Sequence, residues 1–327
     1  MIKELEEIYA VSGAERELRN FLKDRLVKVC DRIWCDSMGN LHAEKGQNDK
    51  KPVLACHMDE PGIIVTQITS DGYLKFETVG RLKAEFLVSK RVIINGIAGI
   101  ISLKAVHLTT KEERETPVKL SQLFIDIGAD SAERAAELIM PGDYGALCTE
   151  YAEMGNCIKG RALAGRVGCD IAIKLFMNPK IENLHLIFAV QREIGCRGMI
   201  TAAYGLEADY AIITDGVDAE SPGIENKAVC GGGAAVLLRT GDLAADAELT
   251  KKAVSIADKN DILIQKCCSD KISQANIISK NGGNIHCLTV GLPIKYAEGT
   301  VQAASKADIE AMYRLVEELF IRGNKNG

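Results

Sequence analysis

The sequence predicts an α/β chain with a β-rich module set into it, and three observations predict this. Short apolar runs end abruptly on polar residues: Val53–Cys56 runs into His57, Leu184–Val190 into Gln191-Arg192-Glu193, and Tyr210–Thr214 into Asp215. Runs of this length, bounded by polar or turn residues, read as central strands. Segments with helical spacing lie between and around them, such as Leu18, Phe21, Leu22 and Leu26. From about Ser70 to residue 160 the texture changes to short β-type segments, after which the α/β alternation resumes.

In chain order, residues 1–29 read as helix with a break at Ser12-Gly13, and Trp34–Lys45 alternates around the turn Met38-Gly39-Asn40. The strand into His57 is followed by another from Ile63 to Ile68. Within the module, Tyr73–Val79, Phe86–Ile94 and Ile97–Val106 read as strands, with Asn95-Gly96 as a hairpin turn. Lys111–Glu115 reads as a charged loop, Leu123–Ile127 as a strand and Ser131–Leu138 as a short helix. Val167–Phe176, Gly198–Tyr204 and Ala247–Asn260 read as helices, and Ile262–Gln265 and Ile285–Val290 as strands. Gly231-Gly232-Gly233 is a turn, since no Lys-Ser or Lys-Thr follows to make a phosphate loop. The last helix, Lys306 to about Arg322, starts at Ser305 with Asp308 at the third position.

The 327 residues suffice for two domains or one large one, and a 47% hydrophobic share supplies a sizeable core. A net charge of −5 gives no electrostatic case for nucleic acid or an acidic membrane. There is no run of eighteen apolar residues, so no spanning helix is expected. The opening MIKELEEIYA carries acids where an export signal has a basic and then an apolar segment, so a cytoplasmic location is expected. The eleven cysteines are scattered with no CxxC, and reduced thiols are the expectation; the adjacent Cys267 and Cys268 receive no role.

In an open α/β sheet the chemistry lies just past the carboxyl ends of the strands. His57 falls there, with Asp59 placed to accept from its second ring nitrogen, the usual way a metal-ligating imidazole is oriented. Glu193, Asp215 and Glu298 fall at the ends of three further strands. One imidazole and several carboxylates at one sheet edge are the ligand types of zinc, cobalt or manganese hydrolases. His42, His107, His185 and His286 show no matching partner and read as core or surface histidines. No G-x-S-x-G elbow occurs, and Cys56 points to the opposite strand face from His57.

With VSGAE, DSMGNLHA, LACHMDEPG, TKEER, LFIDIGADS, GRALAGRVGC, FAVQREIGCRG, ITDG and PIKYAEG in this order, nearly the whole chain resembles the TET-type di-metal aminopeptidases, which include glutamyl and deblocking aminopeptidases. The resemblance implies a zinc-exopeptidase (phosphorylase/hydrolase-like) fold, a mixed sheet flanked by helices, with an inserted β-barrel dimerisation domain. The division it suggests is 1–69 and 162–327 for the catalytic-type domain and 70–161 for the insert. It also implies homo-oligomers from dimer to dodecamer, and removal of N-terminal residues from peptides by two metals and a glutamate base.

Carried over position by position, the resemblance makes His57 the first metal ligand and Asp59 its orienting partner. Glu193 and Asp215 match further ligands, and Glu298 falls where the family has its last histidine. Ala164 falls where the family has the metal-bridging aspartate, with Gly165 beside it. Arg192 falls on the base. A methyl group cannot bridge two cations, and a guanidinium cannot accept a proton. The favoured expectation is therefore a family member with little or no di-metal peptidase activity, binding zero or one divalent metal (Zn, Co or Mn). Arg192 would instead pair with Glu193, Asp215 or Glu298. The alternatives are a single-metal hydrolase of altered specificity, with Asp170 a conceivable substitute ligand, and a non-catalytic assembly or peptide-binding subunit, alone or with an active paralogue.

Overall fold

The computed structural model describes residues 1–48, 50–220, 228–282 and 285–323. The chain starts with α1 (Ile2–Glu7) and α2 (Arg16–Leu26); α2 buries Leu18, Leu22 and Leu26, one every turn. Strands β1 (Arg32–Cys35) and β2 (Leu41–Lys45) pair antiparallel. The backbone N–H groups of Met38, Gly39 and Asn40 all donate to the Asp36 carboxylate, and Gly39 sits at φ +96°. Strand β3 (Val53–His57) is buried along its whole length.

The barrel comes next. Its strands are β4 (Gly62–Ile68), β5 (Leu74–Val79), β6 (Arg91–Ile94), β7 (Ile97–Leu103), β8 (Leu123–Asp126) and β9 (Tyr144–Leu147), closed in the order β4-β5-β8-β7-β6-β9. Alternate residues, among them Ile63, Val65, Leu74, Phe76, Val92, Ile94 and Ile125, fill its interior. Three local expectations change. The barrel takes in β4, one strand before the change of texture at Ser70. The start of the expected Phe86–Ile94 strand is helical, α3 (Ala84–Leu87). Lys111–Glu115, expected as a loop, forms α4. Asn95 and Gly96 both have positive φ, as a two-residue hairpin turn requires. Helix α5 (Ala132–Ala136) is capped by Ser131.

Strands β10 (Ala152–Met154) and β11 (Cys157–Gly160) lead into α6 (Leu163–Met177), β12 (Leu184–Ala189), α7 (Arg197–Ala203) and β13 (Tyr210–Asp218). Then follow β14 (Ala234–Thr240), β15 (Leu243–Ala244), α8 (Ala247–Lys259), β16 (Ile264–Ser269), α9 (Gln274–Asn281), β17 (His286–Ile294), β18 (Gln302–Ser305) and α10 (Lys306–Gly323). The main sheet runs β1-β2-β12-β3-β13-β17-β14-β15, with β16 also beside β14, while β18 joins β10 and β11 in a small sheet. Strands β12, β3, β13 and β17 are mutually parallel, so their carboxyl ends share one edge. Helices α2, α6, α8 and α10 supply the larger core on one face of the sheet, and α7 and α9 the smaller core on the other.

Strand β17 runs past its expected end at Val290 and carries Pro293. β14 pairs with β17 only as far as Gly291, so the proline lies where one flank has no ladder to break. Asp308 does not close a capping box. Its buried carboxylate accepts from the N–H groups of Gly231 and Gly233, tying α10 to the glycine turn. Among the described residues, no helix is long and apolar enough to cross a membrane.

Candidate active site

Three of the four parallel strands, β3, β12 and β13, deliver polar residues to one edge. His57 ends β3 and lies opposite Ala189 of β12. Asp215 lies in β13 two residues past Ile213, which pairs with Ala55. Asp215 therefore reaches the level of His57, and His57 Nε2 stands 3.9 Å from Asp215 Oδ1. The chain leaves β12 through Gln191, held at φ +55°, whose N–H donates to Glu15. That turn brings Arg192 and Glu193 over the strand ends.

Asp59 does orient His57, but the closest acceptor differs from the expected one. His57 Nδ1 is 3.1 Å from the Asp59 carbonyl oxygen and 3.4 Å from Oδ1. The other carboxylate oxygen accepts from the Ser12 hydroxyl at 2.6 Å and the Glu193 N–H at 2.9 Å. Burial opposes a charge on His57, yet the Asp59 carboxylate outweighs it and holds the imidazole above its ordinary pKa. Burial also works against charge on Asp59, and His57 with the two donors overcomes it, holding this carboxyl below its usual range.

Arg192 occupies the centre. Its Nη1 donates to Glu193 Oε1 at 2.9 Å, and its Nη2 lies 3.0 and 3.2 Å from the two oxygens of Asp215. Asp215 chiefly, with Glu193, raises the guanidinium's pKa further against the cost of its burial. Two of the three expected pairings thus form. Glu298 goes elsewhere: half exposed, it binds Lys83 at 3.0 Å and lies 3.9 Å from Lys271.

The start of α6 forms the opposite wall. Its first N–H groups are satisfied by distant side chains: Arg161 and Ala162 donate to Glu6, and Leu163 to Gln302. Ala164 and Gly165 then meet the strand ends at close range. A Cβ on Gly165 would lie 2.9 Å from the His57 carbonyl oxygen and 3.0 Å from its ring Cε1. A Cβ on Gly216 would lie 2.9 Å from that of Ala164. The helix lies so close to the strand ends that a side chain at 165 would force the neighbouring atoms to shift. Ala164, Arg192, Glu193, Asp215 and Gly216 line a small cavity of about 70 Å³ together with Arg81, Asp218, Lys271, Glu298 and Gln302 among others.

A pair of divalent cations does not fit these residues. No carboxylate stands at Ala164 to join them, and Arg192 already engages Glu193 and Asp215. A unit positive charge about 4 Å from a dication costs about 8 kcal/mol at an effective dielectric near 20. Among the described residues, no three His, Cys, Asp or Glu side chains converge as a metal site. Asp170, the conceivable substitute, pairs with Lys174 at 2.8 Å, whose ammonium lies over Tyr313 of α10.

Sequence reasoning missed several partners. Glu60, fully buried, accepts from Arg161 Nε and the Ala10 N–H and lies 3.2 Å from Arg166 Nη2. Both arginines also donate to the Ile8 carbonyl. This buried Arg–Glu–Arg cluster fixes the loop after His57. The adjacent Asp59-Glu60 pair in LACHMDEPG was the signal, since two acids beside a central strand need cations. His42 and His185 are core histidines and His286 a surface one, and these three have partners away from the strand-end site. His42 Nδ1 is 3.0 Å from His185 Nε2, with Trp34 stacked on His42, and His286 bonds Asp246 at 2.7 Å.

Residues 39–315 match the M42 glutamyl aminopeptidase family. A candidate aminopeptidase of Acetivibrio thermocellus is 32% identical over 326 residues, covering 97% of each chain. A TET aminopeptidase from a marine-sediment Thaumarchaeota archaeon superposes with a TM-score of 0.92 at 26% identity, over 98% of this chain and 97% of that one. The TET1 peptidase of Pyrococcus horikoshii, which can assemble into a tetrahedron or a large octahedral shell, gives 0.89 at 27% identity over 97% of each. On the match across residues 39–315 and the agreement in fold, the chain belongs to the M42 glutamyl aminopeptidase family, a family of metal-dependent hydrolases.

Proposed function

We propose that this family member has lost most or all of the two-metal peptidase chemistry and keeps the shell, the cleft and a place for peptides. One observation carries the reading: the Arg192 guanidinium bridges Glu193 and Asp215, the two carboxylates that the resemblance gives as metal ligands. A fixed cation at the base position takes no proton, and its hold on the ligands leaves the metals no anions. Loss of a positioned acid–base group alone typically lowers rate by ~10²–10⁴. The test is hydrolysis of aminoacyl-p-nitroanilides with zinc, cobalt or manganese added. Turnover typical of an aminopeptidase and abolished by His57→Ala refutes the proposal.

A second reading is favoured by one atom. His57 Nε2 is buried with no hydrogen-bond partner and faces Asp215. If Arg192 swung aside, these two side chains with Glu193 would hold a single cation and support a weaker hydrolysis. The same assay, run with metal titration, separates the two.

Oligomeric assembly fits the retained barrel, Gly62–Leu147, as a dimerisation unit, and the P. horikoshii relative supports it by forming closed shells. Native mass spectrometry showing monomer alone, with and without an active paralogue, would count against assembly. Eleven unpaired thiols suit a cytoplasmic setting.

A further inference from the structure

The small space beside Arg192 opens into a larger cleft of about 820 Å³, the two sharing Asp218, Ile294, Ala297, Glu298 and Gly299. That volume is in the range of sites for small organic ligands and short peptides. Its walls are apolar and exposed: Phe86 is 44%, Met154 48% and Tyr296 55% accessible. Tyr296, which lines the cleft, is held at φ +60°, unusual for an aromatic residue. Isolated exposed apolar side chains are ordinary, but three on one concave surface mark a place where something is covered.

The charges around this surface do not balance. Among the described residues, Arg81, Lys83, Lys90, Lys159, Arg192 and Lys271 line the joined cavities against Glu193, Asp215, Asp218 and Glu298. All four carboxylates are already engaged. Glu193 and Asp215 bind Arg192, Glu298 binds Lys83, and Lys271 binds Asp218 at 2.8 Å. No carboxylate among the described residues pairs with Lys90 or Lys159, both half-buried on the wall of the larger cavity. An arriving ammonium group would have to break an existing pair; an arriving anion would find two cations without partners.

We propose that the cleft binds a carboxylate carried on an apolar body, its charge at Lys90 and Lys159 and its body against Phe86, Met154 and Tyr296. The assignment rests on the reading that Arg192 has replaced the metals, since bound cations would draw an anion to themselves. The ligand chemistry is met by the C-terminus of a short peptide with an apolar last residue, or by a small organic acid.

The test is isothermal titration of the full chain, stripped of metal with chelator. The probes are N-acetyl-alanyl-leucine, the same compound as its C-terminal amide, alanyl-leucine amide with a free amine, and 4-phenylbutyrate. At least one of the two acids should bind. For N-acetyl-alanyl-leucine the amide should be at least tenfold weaker, and K90Q/K159Q should weaken the bound acid at least tenfold while leaving the amide unchanged. Each single substitution, at a half-buried surface lysine, should give part of the loss. Tighter binding of N-acetyl-alanyl-leucine assigns the peptide source, and tighter binding of 4-phenylbutyrate the organic acid. Equal binding of acid and amide, tightest binding of the free amine, no binding of either acid at millimolar concentration, or an unchanged double variant overturns the proposal. Peptidase turnover with added metal bears on the preceding reading alone, and acid–amide discrimination without metal bears on this one alone.

Discussion

Nη2 of Arg192 lies within 3.2 Å of both carboxylate oxygens of Asp215, and Asp215 is 3% exposed. A carboxylate that deep needs a cation, and in this chain the cation is covalently attached. Removing it should be costly. Arg192→Gln leaves Asp215 and Glu193 without their partner, and breaking a buried pair from one side costs about 3–5 kcal/mol. Arg192 is itself a fifth exposed, so a loss of about 2–3 kcal/mol is expected by urea denaturation. Zinc should recover part of that loss in the variant and leave the parent's midpoint unchanged.

Restoring the lost anions should restore cation binding. Ala164→Asp with Arg192→Glu replaces a methyl group by a bridging carboxylate and a guanidinium by a proton acceptor. Titration with Zn²⁺ or Co²⁺ should show binding at least tenfold tighter than the parent's. Parent-like affinity would mean that Gly165, pressed against the His57 ring, has narrowed the site beyond rescue.

Glu60 is the hinge of the loop that carries Asp59. Glu60→Gln leaves Arg161 and Arg166, both nearly inaccessible, facing a neutral amide. The expected loss is about 3–5 kcal/mol in a denaturant titration. Glu137→Gln, which breaks only the exposed pair with Arg134, should change stability by less than about 1 kcal/mol.

His185 gives the protein an acid-side weakness. Burial chiefly, and then His42, lowers its pKa to about 3. Its folded value lies below the unfolded value of about 6.5, so the unfolded chain takes up the proton first. The stability this group contributes is present above pH 6.5 and is lost as pH falls from 6.5 toward 3. The loss between pH 7 and pH 5 should be about 2 kcal/mol, and His185→Gln should flatten that part of the profile. Fluorescence of Trp34, the single tryptophan, reports the unfolding from beside the histidine pair.

The strand-end residues were legible in the sequence because a central parallel strand is a short apolar run, and the chain turns polar where it emerges at the sheet edge. That is why His57, Asp59, Arg192, Glu193 and Asp215 meet. Glu298 was less legible. It sits on a turn past β17 and takes Lys83, from the chain just past β5 of the barrel, as its partner, a long-range pairing that no local pattern encodes. The start of the barrel at β4 escaped for a related reason. Val53–His57 and Gly62–Ile68 read as successive strands, and the switch of sheet between them is marked only by Pro61-Gly62. Helix α3 is four residues long, too short for a 3.6-residue period to show against the β texture around it. Gly165 read only as the neighbour of Ala164; the structure adds that it packs against His57 at a distance a Cβ would crowd.

The most direct measurement is elemental analysis of metal per chain in protein purified without chelator. The account predicts zero, with one as the upper bound that the His57–Asp215 pair could hold. Two metals per chain, with Arg192 turned out to solvent, would contradict it.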